Sequence, residues 1–140
     1  MNRVYWDSML FIYLLEANPV FGPQVRRLHQ EMLRRGDVLC TSIFTVGEVL
    51  TGPRRNNDTA GIKGLKTFFA SKEVELLPFT IDAADRYSMI RAGTRVSQAD
   101  GIHLATAASG VDLFVTNDEQ LRKLVIPGIR FFAGLDGKVI

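Results

Sequence analysis

Short apolar runs alternate with longer segments of helical periodicity along the whole chain. We predict that these runs form strands at residues 3–6, 38–41, 74–79, 113–116 and, as an edge strand, 129–132. Strands this short and apolar are typical of a parallel sheet that is buried on both faces, so helices must cover each side. The pattern therefore predicts an α/β fold, a three-layer α/β/α sandwich around a central, mainly parallel sheet.

Capping residues and glycines indicate where the helices begin and end. Ser42 and Ser97 are natural N-caps, and Gly36 follows a helical segment as a C-terminal stop. The helix after Ser42 is predicted to end at the Gly-Pro pair at 52–53, which leaves the polar segment 54–58 as a loop. The segments predicted to be helical are 8–17, 23–36, 43–52, 59–71, 81–95, 98–109 and 119–124.

One compact domain accounts for the length and composition. At 140 residues and 46% hydrophobic, the chain can bury a single core, so we assign 1–140 to one domain. Cys40 is the only cysteine, which excludes an intramolecular disulfide and a thiolate metal cage, and its apolar neighbours place it in the core. The apolar stretch after Asp7 is too short to span a bilayer, and no export signal is visible. We therefore expect a cytoplasmic protein that has no membrane segment.

Four acidic residues in mostly uncharged surroundings are the candidate functional groups: Asp7, Glu48, Asp100 and Asp118. Asp7 and Asp118 each follow a predicted strand, and Asp100 lies in the first turn of a predicted helix. Ligands of open parallel sheets bind outside the carboxyl ends of the strands, where the strand order reverses. If the fold gathers these carboxylates there, their repulsion and burial are costly unless divalent cations bind. The arrangement favours a metal-dependent hydrolase.

Each acid also has a purely structural interpretation. Asp7 could favour a helix start through the helix dipole, Asp100 could form a capping box with Ser97, and Asp118 could begin a helix as an Asx turn. Glu48 could be a solvated glutamate, although it has no Lys or Arg three or four residues away to pair with. Each alternative is reasonable for its own residue. Together they do not explain why all four acids lie in mostly uncharged surroundings.

Other chemistries have less support in the sequence. His103 is a lone histidine on a small-residue helix and is predicted to pack, since lone histidines are more often packed than ligating. Ser8 has no obvious histidine partner, and the chain has no Gly-x-Ser-x-Gly elbow and no Gly-rich phosphate loop. A phosphotransfer or phosphatase domain with Asp7 as nucleophile usually has a second acid two residues on, where this chain has Met9.

Four segments together resemble the PIN-domain ribonucleases, particularly the VapC-type toxins of toxin–antitoxin pairs. They are an opening strand that ends in Asp-Ser at 7–8, the helical Thr-Val-Gly-Glu-Val-Leu at 45–50, Ala-Asp-Gly-Ile-His-Leu-Ala-Thr-Ala at 99–107, and Val-Thr-Asn-Asp at 115–118. The resemblance covers nearly the whole chain. The chain departs from the family at Gly101, Ile102 and His103, where members often carry alanine-like residues, and this leaves His103 unexplained.

The resemblance implies a ribonuclease site and a set of partners. Its metal ligands would be Asp7, Glu48, Asp100 and Asp118, which would bind one or two Mg²⁺ or Mn²⁺ ions, supported by Ser8, Thr116 and Asn117. The substrate would be RNA, a cognate antitoxin would block the site, and the toxin would be a homodimer. A stand-alone RNA-processing nuclease and a nuclease-inactive binding module of the same fold remain alternatives.

Oxygen ligands of this kind suit Mg²⁺, which keeps several waters and bridges carboxylates to phosphate. We expect in-line hydrolysis at phosphorus, with one ion held mainly by Asp7 and Asp100 and with Asp118 a ligand through water. Glu48 would help to hold the metals or would accept a proton. The basic residues predicted to contact the RNA are Arg54, Arg55 and Lys63.

Overall fold

The computed structural model describes residues 2–135, and Met1 and residues 136–140 of the predicted domain lie outside the described residues. Five strands form one sheet in the order β3-β2-β1-β4-β5, and each neighbouring pair is parallel. The strands are β1 Arg3–Trp6, β2 Val38–Ser42, β3 Glu75–Leu77, β4 Val111–Val115 and β5 Ile129–Ala133. The predicted parallel sheet, with 129–132 at its edge, is confirmed.

Helices cover both faces of the sheet, as predicted. They are α1 Ser8–Leu15, α2 Phe21–Arg35, α3 Ile43–Arg55, α4 Thr59–Phe69, α5 Ile81–Gly93, α6 Gln98–Ala107 and α7 Glu119–Arg122. Val4 and Trp6 of β1 point into a core with α1, α2 and α4, whereas Tyr5 points into a second core with α5 and α6. This alternation follows from the two-residue period of a strand. Cys40 is fully buried in the second core.

The strand order places a crevice at the carboxyl ends of β1 and β4. From β1 the chain moves outward through β2 and β3, and it then crosses to the other side of β1 to form β4. Trp6, the last residue of β1, pairs with Val115, the last residue of β4. The strand order therefore reverses between these two strands, which is where an open parallel sheet binds its ligands.

Two predicted element ends are wrong, and each of them lies next to a proline. α3 does not end at Gly52 and Pro53 but continues to Arg55, so Arg54 and Arg55 belong to its last turn and not to a loop. A proline clashes with the Cβ of the preceding residue, and Gly52 has none, so the helix continues through the pair. β3 ends at Leu77 because Pro78 has no N–H for the ladder. Within residues 2–135, no helix is long and apolar enough to cross a membrane.

Candidate active site

Asp7 lies at the carboxyl end of β1 and is the N-cap of α1. Its Oδ1 accepts a hydrogen bond from the Met9 N–H at 3.1 Å, and its own N–H donates to the Val115 carbonyl at 3.4 Å. Burial raises the pKa of the Asp7 carboxyl and the nearby Asp100 carboxylate raises it further, while Thr116, His103 and the Met9 N–H act in the opposite direction. Asp7 is thus a carboxylate whose surroundings favour a proton or another cation.

Glu48 extends from α3 into a hydrogen-bonded position beside α1 and α6. Its Oε1 accepts from Ser8 Oγ at 2.5 Å and from His103 Nε2 at 2.6 Å. The side chain is 31% exposed, so Glu48 is not a fully solvated glutamate. Burial acts to raise the pKa of Glu48, but the hydrogen bonds from His103 and Ser8 lower it overall. Unlike Asp7, Glu48 is held in its ionised form.

Asp100 and Asp118 line one cavity of about 330 Å³ outside the carboxyl end of β4. Asp100 lies in the first turn of α6, which begins after Ser97, and its N–H donates to Ser97 Oγ at 3.1 Å. Asp118 is the exposed N-cap of α7, and its Oδ1 accepts from the Gln120 N–H at 2.8 Å. Asp118 therefore has the structural role proposed for it as a helix start, whereas the cap bond of Asp100 uses its backbone N–H, and both carboxylates face the same cavity.

The fold brings the four acids to one region, although it does not gather them around one point. Asp7 and Asp100 interact electrostatically, Asp100 and Asp118 share a cavity, and Glu48 bonds to Ser8, the neighbour of Asp7. Within residues 2–135, no three His, Cys, Asp or Glu side chains lie close enough together to hold a metal ion. The side chains as they stand are neighbours across a crevice rather than a closed set of ligands.

The predicted supporting residues surround the same crevice. Ser8 is buried and donates its hydroxyl to Glu48. Thr116 is fully buried, and its Oγ1 accepts from the Asp118 N–H at 3.1 Å, which fixes the turn between β4 and α7. Asn117 donates through Nδ2 to the Tyr13 hydroxyl at 3.4 Å and so connects this turn to α1. Ser8 thus holds an acid directly, whereas Thr116 and Asn117 hold the turn that carries Asp118.

His103 is the residue whose role the sequence did not reveal. It is buried and hydrogen-bonds to Glu48 through Nε2 and to the Tyr5 hydroxyl through Nδ1, at 2.6 Å each. Ser8 Oγ also lies 3.2 Å from Nε2, so the expectation that Ser8 has no histidine partner is wrong. The group is still not a Ser-His-acid triad, because the acid and the serine face the same ring nitrogen. Two signals pointed to this contact: Glu48 lacks a basic partner on its own helix, and His103 stands among small residues.

The predicted RNA-binding residues flank a second cavity, of about 260 Å³, without lining it. This cavity includes the acids Glu16, Glu48 and Asp58. Arg54, Arg55 and Lys63 are exposed on α3 and α4, near its lining residues Pro53 and Asn56. Arg95, which the sequence did not single out, lines the cavity that holds Asp100 and Asp118. Of these four cations, Arg95 is the one that lines a cavity with candidate acids.

A third cavity, of about 350 Å³, is almost entirely apolar and is formed by α1, α2, α4 and the sheet. Its lining includes Trp6, Phe11, Leu39 and Phe68. Leu15, Gly61 and Leu65 line both this cavity and the acidic one that contains Glu48. The apolar and acidic cavities are therefore adjacent parts of one groove.

The chemistry of the site fits a hard divalent cation. The crevice offers carboxylate and hydroxyl oxygens, which Mg²⁺ and Mn²⁺ prefer, while the one thiol, Cys40, is fully buried elsewhere and burial raises its pKa to about 12. The raised pKa of Asp7 agrees with this, because burial and the neighbouring Asp100 carboxylate both disfavour its ionised form, which a bound cation would favour.

Comparisons with known proteins agree with the fold. The family model described as PIN domain matches residues 4–126. VapBC2 from Rickettsia felis, solved bound to a DNA fragment from its promoter, has a TM-score of 0.73 and 15% identity and covers 94% of this chain and 98% of its own. VapC20 from Mycobacterium tuberculosis, described as a Sarcin-Ricin loop cleaving toxin, has a TM-score of 0.68 and 17% identity, with 87% and 96% covered. FitAcB from Neisseria gonorrhoeae has a TM-score of 0.62 and 21% identity, with 82% and 87% covered. No match was found among curated proteins.

Proposed function

The chain belongs to the PIN domain family, and from this premise we propose that it is a Mg²⁺- or Mn²⁺-dependent endoribonuclease and the toxin of a toxin–antitoxin pair. The observation that carries the proposal is the pair Asp7 and Asp100, two partly buried carboxylates that repel each other at the point where the strand order reverses. Such a pair is stabilised by a divalent cation and is costly without one.

Asp7 and Asp100 would hold the cation, and Asp118 and Glu48 would complete its surroundings. A bound Mg²⁺ supplies charge neutralisation and activation of water for hydrolysis of a phosphodiester bond. Glu48 is ionised and held by two donors, so it can accept a proton at the edge of the crevice. Thr116 and Asn117 fix the turn that carries Asp118.

The substrate of this proposal is RNA in a single-stranded or loop segment, whose backbone can enter a cleft between loops. Arg95 lies beside Asp100 and Asp118, where it would pair with a phosphate. Arg54, Arg55 and Lys63 would contact the strand on the other side of the crevice. These contacts are electrostatic, so we expect the affinity for RNA to fall as the salt concentration rises.

The proposed protein partner is an antitoxin, because one of the similar structures, from Klebsiella pneumoniae, is a toxin–antitoxin complex. The groove formed by the apolar and acidic cavities supports such a partner. A partner segment with apolar side chains in the apolar cavity would place a following cationic side chain beside Glu48. Such a segment would block the crevice. The proposal also includes a homodimeric toxin that acts in the cytoplasm.

Cleavage of RNA by purified protein tests the proposal. Wild-type protein should cut single-stranded RNA in Mn²⁺ or Mg²⁺ and stop when EDTA is added. Asp7→Asn and Asp100→Asn should each lower kcat/KM by at least about 100-fold, because each loses a charged ligand of the cation. Asp85→Asn, a change of the same type at an exposed position of α5, should cut like wild type.

Two results would overturn the assignment. Cleavage that persists at the wild-type rate in Asp7→Asn would place the chemistry elsewhere. RNA binding without cleavage by the wild type in either metal would instead support a nuclease-inactive binding module of the same fold.

A further inference from the structure

A continuous series of hydrogen bonds connects the sheet to Glu48 at the crevice. The Tyr5 hydroxyl lies 2.6 Å from His103 Nδ1, and His103 Nε2 lies 2.6 Å from Glu48 Oε1. Tyr5 is fully buried in β1 and the His103 side chain is 5% exposed, whereas the Glu48 side chain is 31% exposed. This hydrogen-bond series thus joins a fixed residue of the sheet to a carboxylate at the surface of the crevice.

The partners determine which ring nitrogen of His103 carries a proton. An ionised carboxylate has no hydrogen to donate, so Nε2 must be the donor to Glu48. In the neutral ring Nδ1 is then an acceptor, and the Tyr5 hydroxyl donates to it. The phenol is available for this because its burial raises the pKa of Tyr5, which keeps the hydroxyl protonated. The Tyr5 hydroxyl and the Nε2–H of His103 then each face an acceptor.

The His103 ring has little freedom to move away from Glu48. It packs edge-on against Tyr5 and against Phe44, with ring centroids 5.9 and 5.6 Å apart. Glu48 itself reaches Oε1 through three rotatable bonds, so without donors its carboxylate would sample several orientations. Ser8 supplies one donor from the start of α1 and His103 supplies the other from α6.

We propose that His103 is a positioning residue, in which the Nε2–H, required by the acceptor-only carboxylate and accommodated by the Tyr5 hydroxyl at Nδ1, holds the Glu48 carboxylate toward the crevice. The role rests on the proposed function, because it requires Glu48 to act there. His103 does not touch the substrate, and it acts only through Glu48. Partners of this kind typically change metal affinity or activity by about 10- to 100-fold when they are removed.

Nitrogen NMR of the metal-free wild-type protein tests the hydrogen bond directly and needs no activity. The chain has two histidines, so a His29→Gln sample assigns the signals. We expect Nε2 of His103 to carry a proton, because it faces the Glu48 carboxylate. Tyr5→Phe removes the hydroxyl that faces Nδ1, so it should shift the Nδ1 signal, while Nε2, which faces the Glu48 carboxylate, keeps its proton. A proton on Nδ1 alone in the wild type would overturn the proposal, because Nε2 could not then donate to Glu48.

Variants of His103 test the consequence for the site. His103→Ala should lower Mn²⁺ affinity, measured by calorimetry, and kcat by about 10- to 100-fold. His103→Gln offers an amide N–H in place of Nε2–H and should recover part of both losses, which a purely structural role of the ring would not produce. Circular dichroism confirms that each variant is folded.

Comparison with Asp7→Asn separates the two proposals. If His103→Ala and His103→Gln bind Mn²⁺ and cleave like wild type while Asp7→Asn is inactive, the positioning role is wrong and the nuclease assignment stands. If Asp7→Asn also cleaves like wild type, the nuclease assignment itself fails, whatever the NMR signals of His103 show.

Discussion

At the scale of single residues, the surroundings of Asp7 raise its pKa, whereas those of Glu48 lower its pKa. This difference has a measurable effect on the stability of the fold. Burial and Asp100 raise the pKa of Asp7 above its ordinary value of 3.8. An acid whose pKa is higher in the folded than in the unfolded chain destabilises the fold as the pH rises from about the ordinary value through the raised one. At neutral pH the ionised Asp7 therefore carries an uncompensated free-energy cost in the metal-free protein.

We predict that Asp7→Asn increases the free energy of unfolding of the metal-free protein at pH 7, although it abolishes activity. Asparagine removes the charge but keeps an oxygen for the N-cap bond to Met9, and the two residues are nearly equal as N-caps. The gain should shrink as the pH falls through the raised pKa of the folded carboxyl, and it should be lost below the ordinary value of 3.8. Urea unfolding of both proteins in EDTA at several pH values measures this difference in the free energy of unfolding.

Glu48→Gln provides the contrast of opposite sign. Because its hydrogen bonds outweigh burial and lower the pKa of Glu48, its ionised form stabilises the fold above the ordinary pKa, and this contribution is lost as the pH falls. The same titration should therefore show Glu48→Gln less stable than wild type at pH 7. A loss of stability in both variants would mean that the hydrogen bonds to Asp7 outweigh its burial, as they do for Glu48, and that its pKa is not raised.

The positions of the four acids were predictable from the sequence, but their partners were not. Asp7 and Asp118 stand at strand ends, so the pattern placed them at the carboxyl edge of the sheet. The contact between Glu48 and His103 joins residues 55 positions apart, and it depends on how α3 packs against α6. Spacing along one helix cannot reveal such a contact. It could only suggest that Glu48 needed a partner from another element.

At the scale of elements, α6 carries two functional side chains and depends on its first turn. Ser97 Oγ accepts from the N–H of Asp100, so the cap and the candidate ligand are joined. We predict that Ser97→Ala lowers the free energy of unfolding by about 1 kcal/mol, the usual cost of losing such a cap. It should also reduce Mn²⁺ affinity, because the turn that carries Asp100 loses its restraint.

Ser97→Thr and Ser109→Ala are the matched controls for the cap. Threonine keeps the acceptor, so Ser97→Thr should retain most of the stability and the metal affinity. Ser109 is exposed just past the end of α6, and its loss should change stability by less than about 0.5 kcal/mol. Equal effects of Ser97→Ala and Ser109→Ala would show that the cap does not restrain the turn.

The helix boundaries show why local rules succeed at some ends and fail at others. Ser42 and Ser97 were predicted as caps and are caps, and Gly36 ends α2 at a φ of 73°. A cap is a local hydrogen bond, so the sequence alone indicates it. The end of α3 was wrong because glycine before Pro53 removes the clash on which the rule depends, and the packing of the helix then decides its length.

At the scale of the whole molecule, the sequence predicted the layers but not the order of the strands. Short apolar strands separated by helices indicate a parallel sheet with covered faces. The crossover after β3, which brings β4 beside β1 and Asp100 beside Asp7, is a property of the complete chain. The general rule for ligand sites in such sheets then accounts for the crevice, since it follows from topology and not from any one residue.

The crevice should couple metal binding to global stability. A ligand that binds only the folded state stabilises it by about 2.7 kcal/mol at a free concentration 100 times its Kd, which raises the Tm of a domain of this size by on the order of 10 °C. We predict a rise that grows with Mn²⁺ concentration for wild type and for Asp85→Asn. Asp7→Asn and Asp100→Asn should start from a Tm at or above that of wild type in EDTA and gain little from Mn²⁺, because each has already lost the repulsion that the cation relieves. Thermal unfolding with and without Mn²⁺ measures both effects, and an equal gain in all four proteins would show that the cation binds outside the crevice.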